Sequence, residues 1–376
     1  MLPGLANAGV EMRVFARRVV EPAAFGVPVE ELSWAKDDQP SNGAAALRLR
    51  RIIEGWAPAA VITSNVFDPA VMHAARAVPN MLVRIHDHRM FCPQGDRSFP
   101  NFSGHCIAAM STARCLGNAV LHGCAAGPHP KTLRLLRARQ ALQRAVLAAD
   151  YLMASSKFMM RLCATNGVAP ERIALMPPPI EGEVLASAAP RPRRARVLFA
   201  GRFVRDKGLE SLIRALALVP QNERPVLAAA GAPTAESVRW PALATKLGVS
   251  LSLLGHLDGR ALDAEIDAST LVAVPSLWPE PFGLVGIEAQ ARGRPVVAYD
   301  VGGVAEWMGE AGLVVPRGNE RALAGAISSV SDERRWTAFS AAALRQATHY
   351  SVDAHVERLL KLSRHPQKES HIICAS

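Results

Sequence analysis

The sequence predicts an α/β protein built from two doubly wound domains, and three observations support this. At 376 residues the chain is too long for one ordinary domain and long enough for two cores. Short apolar, β-branched runs alternate with segments of helical periodicity, which is the pattern of parallel sheets covered by helices. Pro177–Pro179 and the Pro-, Ala- and Arg-rich segment after them separate two such series and mark a domain boundary.

The first series of elements precedes that boundary. Around Gly9 the pattern indicates the end of a helix followed by a strand. Further strands are predicted at 59–64, 81–85, 151–155 and 173–176, with helices at 131–149 and 157–166. Residues 94–130 are rich in Gly, Pro, Ser and Cys and lack periodicity, so they predict an insertion that determines acceptor specificity.

The second series follows the boundary with a regular alternation of strand and helix. Strands are predicted at 197–200, 226–230, 251–254, 271–274, 295–299 and 312–315, and helices at 209–218, 235–247, 260–267, from near 283, 319–330, 333–348 and 352–363. This regularity predicts a second parallel sheet. We expect domains at 1–180 and 195–348, a linker at 181–194, and a polar, disordered tail at 365–376.

Composition narrows the function class. The chain is 49% hydrophobic and 20% charged, and it contains no uncharged apolar run of 18 residues, so no membrane span is expected. The opening MLPGLANAGVEMRVF lacks the pattern of a secretory signal, which predicts a cytoplasmic protein.

The net charge of +10 and the pI near 9.8 predict an anionic partner. Nucleic acid is the weaker interpretation, because no aromatic-interleaved basic platform is present. The basic segment 131–149 fits a helix lying on the acidic inner face of a membrane, as in a peripheral membrane protein. A surface helix that packs its leucines on the sheet is the better interpretation of this segment.

Four of the six cysteines fall within one stretch, at Cys92, Cys106, Cys115 and Cys124. In a cytoplasmic protein such a group favours metal binding or reduced thiols over disulfides. Their gaps are long and contain no CxxC pair, so a zinc site is only a weak alternative and no metal or cofactor is expected.

Two carboxylates, Glu280 and Glu288, flank the turn between strand 271–274 and the next helix. In open α/β sheets ligands bind beyond the carboxyl ends of strands, where helix N-termini offer free N–H groups. Gly283 and Gly286 would let a ligand approach this turn closely. Two solvated charges at a helix end are the alternative interpretation.

A second cluster follows strand 197–200, where Gly201, Arg202, Lys207 and Gly208 precede a helix. Strand, glycine turn, basic side chains and a helix N-terminus together make a phosphate site. Ordinary surface charges in a loop are the alternative. A third group, His86-Asp87-His88-Arg89 with Cys92-Pro93, follows strand 81–85 and offers titratable groups at a strand end.

These motifs agree in order and spacing with one family. Glu280-Pro-Phe-Gly283 with Glu288, Gly293-x-Pro295, Gly302-Gly303 and Gly201-Arg202-x4-Lys207-Gly208 resemble the Glu-x7-Glu region and the Gly-Arg-x4-Lys-Gly motif of retaining glycosyltransferases of family four, glycosyl transferases group 1. The His86-Asp-x4-Cys-Pro stretch resembles the family's histidine motif. The resemblance runs from about residue 5 to 362.

The resemblance implies the GT-B fold, in which two Rossmann-like domains face a cleft and a last helix, here about 350–365, returns to the first domain. It implies a nucleotide-sugar donor held by the second domain and a glycan or lipid-linked acceptor held by the first. Arg202 and Lys207 would hold the diphosphate without a metal, Glu280 the sugar and Glu288 the ribose. His86 would lie near the transferred sugar, and Gly201 and backbone groups of Phe282, Gly283, Leu284 and Val285 would line the donor site.

The implied activity is retaining, metal-independent sugar transfer in the synthesis of cell-surface polysaccharide or glycoconjugates. One departure concerns the start of the chain, since family members place a strand and a Gly-rich loop before residue 5. Without that central strand the neighbouring strands would each expose an edge. We therefore expect either an upstream start or a shortened, non-catalytic nucleotide-sugar binding protein. A GT-B nucleotide-sugar epimerase is a further alternative.

Overall fold

A computed structural model describes residues 2–19, 26–35, 43–100, 104–124, 130–188, 190–363 and 371–375. The chain divides into two compact units. The first comprises Met1–Pro177 and Val352–Ser376, and the second comprises Pro178–Ser351. The division falls within the predicted proline-rich boundary, and the segment expected to be a linker belongs to the second unit.

The strands and helices of the described residues are as follows. The strands are β1 (Glu11–Ala16), β2 (Val29–Glu31), β3 (Ala60–Ser64), β4 (Met81–Ile85), β5 (Tyr151–Ala154), β6 (Ile173–Leu175), β7 (Arg196–Ala200), β8 (Val226–Ala230), β9 (Leu251–Gly255), β10 (Leu271–Val274), β11 (Val296–Tyr299), β12 (Gly312–Val315) and β13 (His371–Ala375). The helices are α1 (Leu2–Asn7), α2 (Gly43–Trp56), α3 (Pro69–Ala74), α4 (Thr112–Leu121), α5 (Pro130–Leu147), α6 (Lys157–Thr165), α7 (Leu209–Ala217), α8 (Trp240–Lys246), α9 (Gly259–Asp267), α10 (Leu284–Ala291), α11 (Val304–Met308), α12 (Glu320–Ser331), α13 (Glu333–Ala347) and α14 (Val352–Ser363). None of the described helices is long and apolar enough to cross a membrane.

The first unit is built on a parallel sheet of order β2-β1-β13-β3-β4-β5-β6. Its inner strands β3, β4 and β5 are mostly buried on both faces, as expected of parallel strands covered by helices. One face packs in a core that includes Phe15, Leu49 and Val61. The other face packs with α1 and α14 through Leu5 and Leu359.

The C-terminal segment is where the structure departs most from the sequence prediction. The expectation of a disordered tail is wrong for residues 371–375, because they form β13 in the interior of the sheet. β13 pairs with β1 on one side and β3 on the other. The two edges that were expected to be exposed are therefore both covered.

The second unit is built on a parallel sheet of order β12-β11-β10-β7-β8-β9. Counted from β7 this is the doubly wound order 3-2-1-4-5-6, with its reversal between β7 and β10. The core is formed by the apolar strands and the inner faces of α7, α10 and α12. Ligands of such sheets bind beyond the carboxyl ends of the two strands at the reversal.

Most predicted elements are present, and the exceptions have local causes. Strands 81–85, 226–230, 271–274 and 312–315 are confirmed residue for residue. The predicted helix at 235–247 starts as a 3-10 turn at Ser237–Arg239 and becomes α-helical from Trp240. The sequence also failed to predict α4, which lies in the aperiodic insertion and begins with a Ser111 cap that accepts from the Arg114 N–H.

Candidate functional site

The candidate donor site of the second unit lies at the carboxyl ends of β7 and β10. The loop after β7 runs from Gly201 to Gly208 and contains a 3-10 turn at Arg205–Lys207. Gly208 caps α7 with φ of +75°, and a Cβ there would lie 1.8 Å from the Pro275 carbonyl oxygen. Only glycine fits this position, and it brings the two loops into contact.

Lys207 and Glu280 come together in this contact. The Lys207 Nζ lies 2.6 Å from the Glu280 Oε1, and the Ser276 hydroxyl donates to the same oxygen at 2.5 Å. The Lys207 and Glu280 side chains are 20% and 6% exposed, so the pair is largely screened from water. Lys207 also lies 5.0 Å from the ring centroid of Trp278, a cation–π distance.

Arg202 lies in the same loop but is arranged differently. Its side chain is 67% exposed, and its guanidinium is 3.7 Å from the Asp206 carboxylate. An exposed ion pair of this length contributes little to stability. Arg202 can therefore turn toward an anion at the loop without breaking a buried interaction.

Residues 280–285, called the donor segment below, present backbone N–H groups at the start of α10. Gly283 caps α10 with φ of +95°, and the first N–H groups of a helix lack partners within it. Phe282 is buried against Tyr350, with ring centroids 5.6 Å apart. Leu284 is half exposed at the first position of the helix. The predicted residues Phe282, Gly283, Leu284 and Val285 thus form one helix N-terminus beside Glu280.

Trp307 supports this segment from below. Its indole N–H donates to the Phe282 carbonyl at 2.5 Å. Its ring also packs against Gly286, where an added Cβ would lie only 2.0 Å from the nearest ring carbon. The Gly303 N–H donates to the Glu280 carbonyl at 2.8 Å. A Cβ on Gly302 would lie 2.0 Å from that same oxygen. The Gly-Gly loop and α11 therefore fix the backbone on both sides of Phe282.

Glu288 lies in the second turn of α10 and is partly buried. Burial, together with the carboxylates of Glu181 and Asp263, raises its pKa to about 7. A ligand hydroxyl that donates to this carboxylate would favour the charged form. The site therefore has a carboxylate whose charge changes near neutral pH.

In the first unit, His86 follows the carboxyl end of β4. Its Nε2 lies 2.7 Å from the hydroxyl of Ser64, the last residue of the neighbouring strand β3. The ring is exposed on one side, yet enough protein surrounds it to lower its pKa, and the positive charges of Arg84 and Arg89 act in the same direction. His86 is therefore a neutral imidazole at neutral pH.

The residues after His86 have structural roles. Asp87 accepts from the backbone N–H and the guanidinium of Arg89, at 2.8 and 2.7 Å. The Arg89 guanidinium stacks on Phe67 at 4.1 Å. His88 is fully buried and packs edge-on against Phe158. His86 is thus the member of this motif that the structure leaves open to a ligand.

The family model described as "Glycosyl transferases group 1" matches residues 184–348. The chain is 33% identical over 288 residues to D-inositol 3-phosphate glycosyltransferase 1 of Catenulispora acidiphila, with 69% of this chain and 66% of that protein aligned. It is 30% identical over 394 residues to D-inositol 3-phosphate glycosyltransferase of Rhodococcus erythropolis, with 96% and 88% aligned. The chain belongs to the glycosyl transferases group 1, glycosyltransferase family four. The family resemblance in the motifs is thereby confirmed.

Solved structures agree on the fold. The structure of Anabaena HepE in complex with UDP superposes with a TM-score of 0.66 at 18% identity, over 94% of this chain and 99% of that one. This level of identity supports the fold alone. The GT-B fold predicted from the sequence is therefore confirmed, with two parallel doubly wound sheets.

The cysteine group lies in the first unit. All six cysteines are unbonded, and Cys92, Cys106, Cys115 and Cys124 line one small cavity with Phe91 and Met110. Burial, together with the nearby cysteines and Asp96, raises the pKa of Cys124 to about 11. Among the residues that the structure describes, no three His, Cys, Asp or Glu side chains form a group that could hold a metal ion.

Several residues of the site were not predicted from the sequence. Ser276 and Trp278 contact the Lys207–Glu280 pair, Trp307 supports the donor segment, and Ser64 contacts His86. Each lies in or just after the end of a strand, or in α11. The position of these residues relative to the strands was therefore the only signal in the sequence that could have predicted them. Their contacts depend on side-chain packing that no spacing rule encodes.

Proposed function

We propose that the chain transfers a sugar from a nucleoside-diphosphate sugar to an acceptor hydroxyl, with retention of configuration at the anomeric carbon. The observation that carries the proposal is the Lys207–Glu280 pair at the sheet reversal, next to the N-terminus of α10. Family membership and the aligned motifs support it. A screened cation and a helix N-terminus are groups that stabilise a departing diphosphate.

In this proposal Lys207 and Arg202 bind the diphosphate and neutralise the charge that develops as the glycosidic bond breaks. Lys207 is fixed by Glu280, while Arg202 is free to close on the phosphate from solvent. The N–H groups at the start of α10 supply further donors. In the proposed transfer these groups, and not a metal ion, neutralise the diphosphate.

The remaining donor contacts follow from the two carboxylates. Glu280 accepts hydrogen bonds from the hydroxyls of the sugar and fixes its orientation, with Ser276 holding the carboxylate in place. Glu288 accepts from the ribose hydroxyls, as the acidic residue of dinucleotide folds does. In the retaining transfer implied by the family, the donor phosphate takes the proton of the acceptor hydroxyl.

The acceptor is assigned to the first unit, where His86 would contact it. The aligned relatives are named for D-inositol 3-phosphate, so this polyol phosphate is the first acceptor to test. A glycan or lipid-linked acceptor, as expected from the sequence, is the second.

The test begins with thermal-shift screening against UDP-, GDP- and ADP-sugars, since a ligand that binds only the folded state raises its stability. The stabilising donor is then incubated with D-inositol 3-phosphate or with glycan acceptors, and products are identified by mass spectrometry and anomeric NMR. A glycosylated product with retained configuration is expected.

The controls separate the alternatives. Glu280→Gln should abolish transfer, whereas Glu310→Gln, at a carboxylate that is 90% exposed, should leave it unchanged. Conversion of the donor to its epimer without acceptor would indicate an epimerase. Donor binding without turnover across all acceptors would indicate a binding protein and contradict the proposal.

A further inference from the structure

β13, the last strand of the chain that the structure describes, lies between β1 and β3 in the interior of the first sheet. We propose that the space between β1 and β3 is a strand-binding groove, that His371–Ala375 fills it from within the chain, and that the groove binds the same sequence as a separate peptide. The partner class is thus a short, apolar, extended segment in parallel orientation. The groove itself does not depend on the proposed sugar transfer.

The backbone pairing is continuous on both sides of β13. Residues 371–375 pair with Glu11–Phe15 of β1, and residues 372–375 pair with Ala60–Thr63 of β3. Both pairings are parallel and lack a register shift. An empty groove would leave two rows of ladder groups unpaired in the interior of the sheet, which is costly. The groove is therefore a template for a strand.

The side chains of β13 fit both faces of the sheet. Ile373 and Ala375 are buried in the core that contains Phe15 and Val61. Ile372 and Cys374 are buried in the core that contains Leu5. A period of two with apolar residues on both faces is the pattern of a central parallel strand. A charged residue or proline at these positions would be excluded, because it would bury a charge or remove a ladder donor.

The helix α14, which packs on one face of the sheet beside the groove, is fixed to the first unit by contacts that do not involve β13. The Asn80 amide donates to the Ser363 carbonyl at 2.8 Å and fixes the end of α14 next to β4. The His355 Nδ1–H donates to the Pro177 carbonyl at 2.8 Å, which leaves Nε2 to accept from Arg84. Burial and the Arg84 charge lower the pKa of His355 to about 3, so this ring stays neutral. These contacts join β4, β6 and α14 without any residue of β13.

The carboxyl end of β13 lies at the functional edge of the sheet. Ala375 is in register with Thr63, and Thr63 precedes Ser64, whose hydroxyl contacts His86. Occupancy of the groove therefore fixes the end of β3 that positions His86. Any effect on transfer rests on the proposed function, whereas effects on folding do not.

The first experiment uses the intact chain and the native thiol of Cys374. Under native conditions N-ethylmaleimide should label Cys374 roughly a hundredfold more slowly than the partly exposed Cys106, because labelling needs local opening of the sheet. Hydrogen exchange should show strong protection of residues 372–375. Labelling of Cys374 as fast as Cys106, or exchange within seconds, would overturn the proposal.

The second experiment tests exchange directly. A chain truncated after Ser363 should bind a fluorescent peptide that contains HIICA between flanking lysines, and the peptide should restore hydrogen-exchange protection in β1 and β3. The matched peptide HIDCA places a charge at the position of Ile373 and should bind at least about tenfold more weakly. Equal binding of both peptides, or no binding to a soluble, folded truncation, would contradict exchange.

The substitution Ile373→Asp in the full chain covers the case in which the truncation does not fold. It should lower the thermal midpoint of the first unit and speed labelling of Cys374 roughly tenfold or more. Leu253→Asp, at a partly exposed position of β9, should do neither. An unchanged labelling rate of Cys374 in the Ile373→Asp chain would contradict the proposal.

Discussion

At the scale of single residues, the Lys207–Glu280 pair is the interaction that the proposed donor would meet first. The Glu280 carboxylate has one oxygen shared between Lys207 and Ser276, so a sugar hydroxyl can bind its other oxygen without displacing either. Lys207 has three N–H donors, and the pair occupies one of them. The pair therefore positions both groups for a donor rather than blocking the site.

Lys207→Ala should lower kcat for transfer roughly a hundred- to a thousandfold, because the charge on the departing diphosphate loses a preorganised cation. The measurement is steady-state transfer with circular dichroism as the check on folding. Arg214→Ala is the control, since Arg214 is an exposed cation on α7 that pairs with Glu210. Near-normal turnover in a folded Lys207→Ala chain would refute the assignment.

The raised pKa of Glu288 predicts that increasing pH lowers the stability of the second unit but strengthens donor binding. Its folded pKa of about 7 lies above the ordinary 4.5, so its contribution to stability falls as pH rises between those values. Glu288→Gln should therefore raise the thermal midpoint at about pH 8 and change it little near pH 4. Donor affinity of the wild type should rise through about pH 7, because the carboxylate is the better acceptor for ribose hydroxyls.

Thermal unfolding and donor titration across this pH range test both effects. The Glu288→Gln chain should lose the pH dependence of donor binding in this window. A wild type whose donor affinity is flat from pH 5 to about pH 8 would show that Glu288 does not contact the donor.

At the scale of elements, the donor segment takes its shape from α11. Trp307 occupies the space that a side chain at position 286 would need, and its indole holds the Phe282 carbonyl. The Gln290 amide donates to the Trp307 carbonyl at 3.2 Å and ties α10 back to α11. The helices α10 and α11 thus pack against each other, and Gly286 lies where they come closest.

Gly286→Ala should destabilise the second unit by about 1–3 kcal/mol and raise the KM for the donor more than it lowers kcat. The new methyl group would lie 2.0 Å from a fully buried Trp307 ring, so α10 or α11 must shift. Gly325→Ala is the matched control, because no atom lies within 4 Å of that Cβ on an exposed position of α12. It should be neutral or stabilise by about 0.5–1 kcal/mol.

Chemical denaturation and donor kinetics of the two variants provide the comparison. Equal stabilities of Gly286→Ala and Gly325→Ala would contradict the packing argument. A loss of stability with an unchanged KM would show that α11 supports the fold but not the donor segment.

The elements also show what the sequence could predict. β4 and β10 were predicted residue for residue because both are short, mostly apolar runs bounded by polar turns, fully buried in β10 and buried except at Arg84 in β4. The Gly201–Gly208 and Glu280–Glu288 loops were located because glycine and charge at a strand end have local causes. β13 was missed since its apolar run is short, its surroundings are polar, and both of its partner strands lie far earlier in the chain, before residue 65.

At the scale of the whole molecule, the two compact units carry different parts of the proposed reaction. The residues assigned to the donor, from Gly201 to Glu288, all belong to the second unit. His86 and the strand-binding groove belong to the first. Because each unit has its own sheet and core, their stabilities need not change together.

Donor binding and groove occupancy should therefore protect different strands from hydrogen exchange. A saturating nucleoside-diphosphate sugar should slow exchange in β7 and β10, since binding stabilises only the unit that holds it. Ile373→Asp should speed exchange in β1 and β3 and leave β7 and β10 unchanged. Hydrogen-exchange mass spectrometry of both chains, with and without donor, measures all four strands in one experiment. Equal protection of β1, β3, β7 and β10 by the donor would show that the two units unfold as one, and the separate assignment of their stabilities would then be wrong.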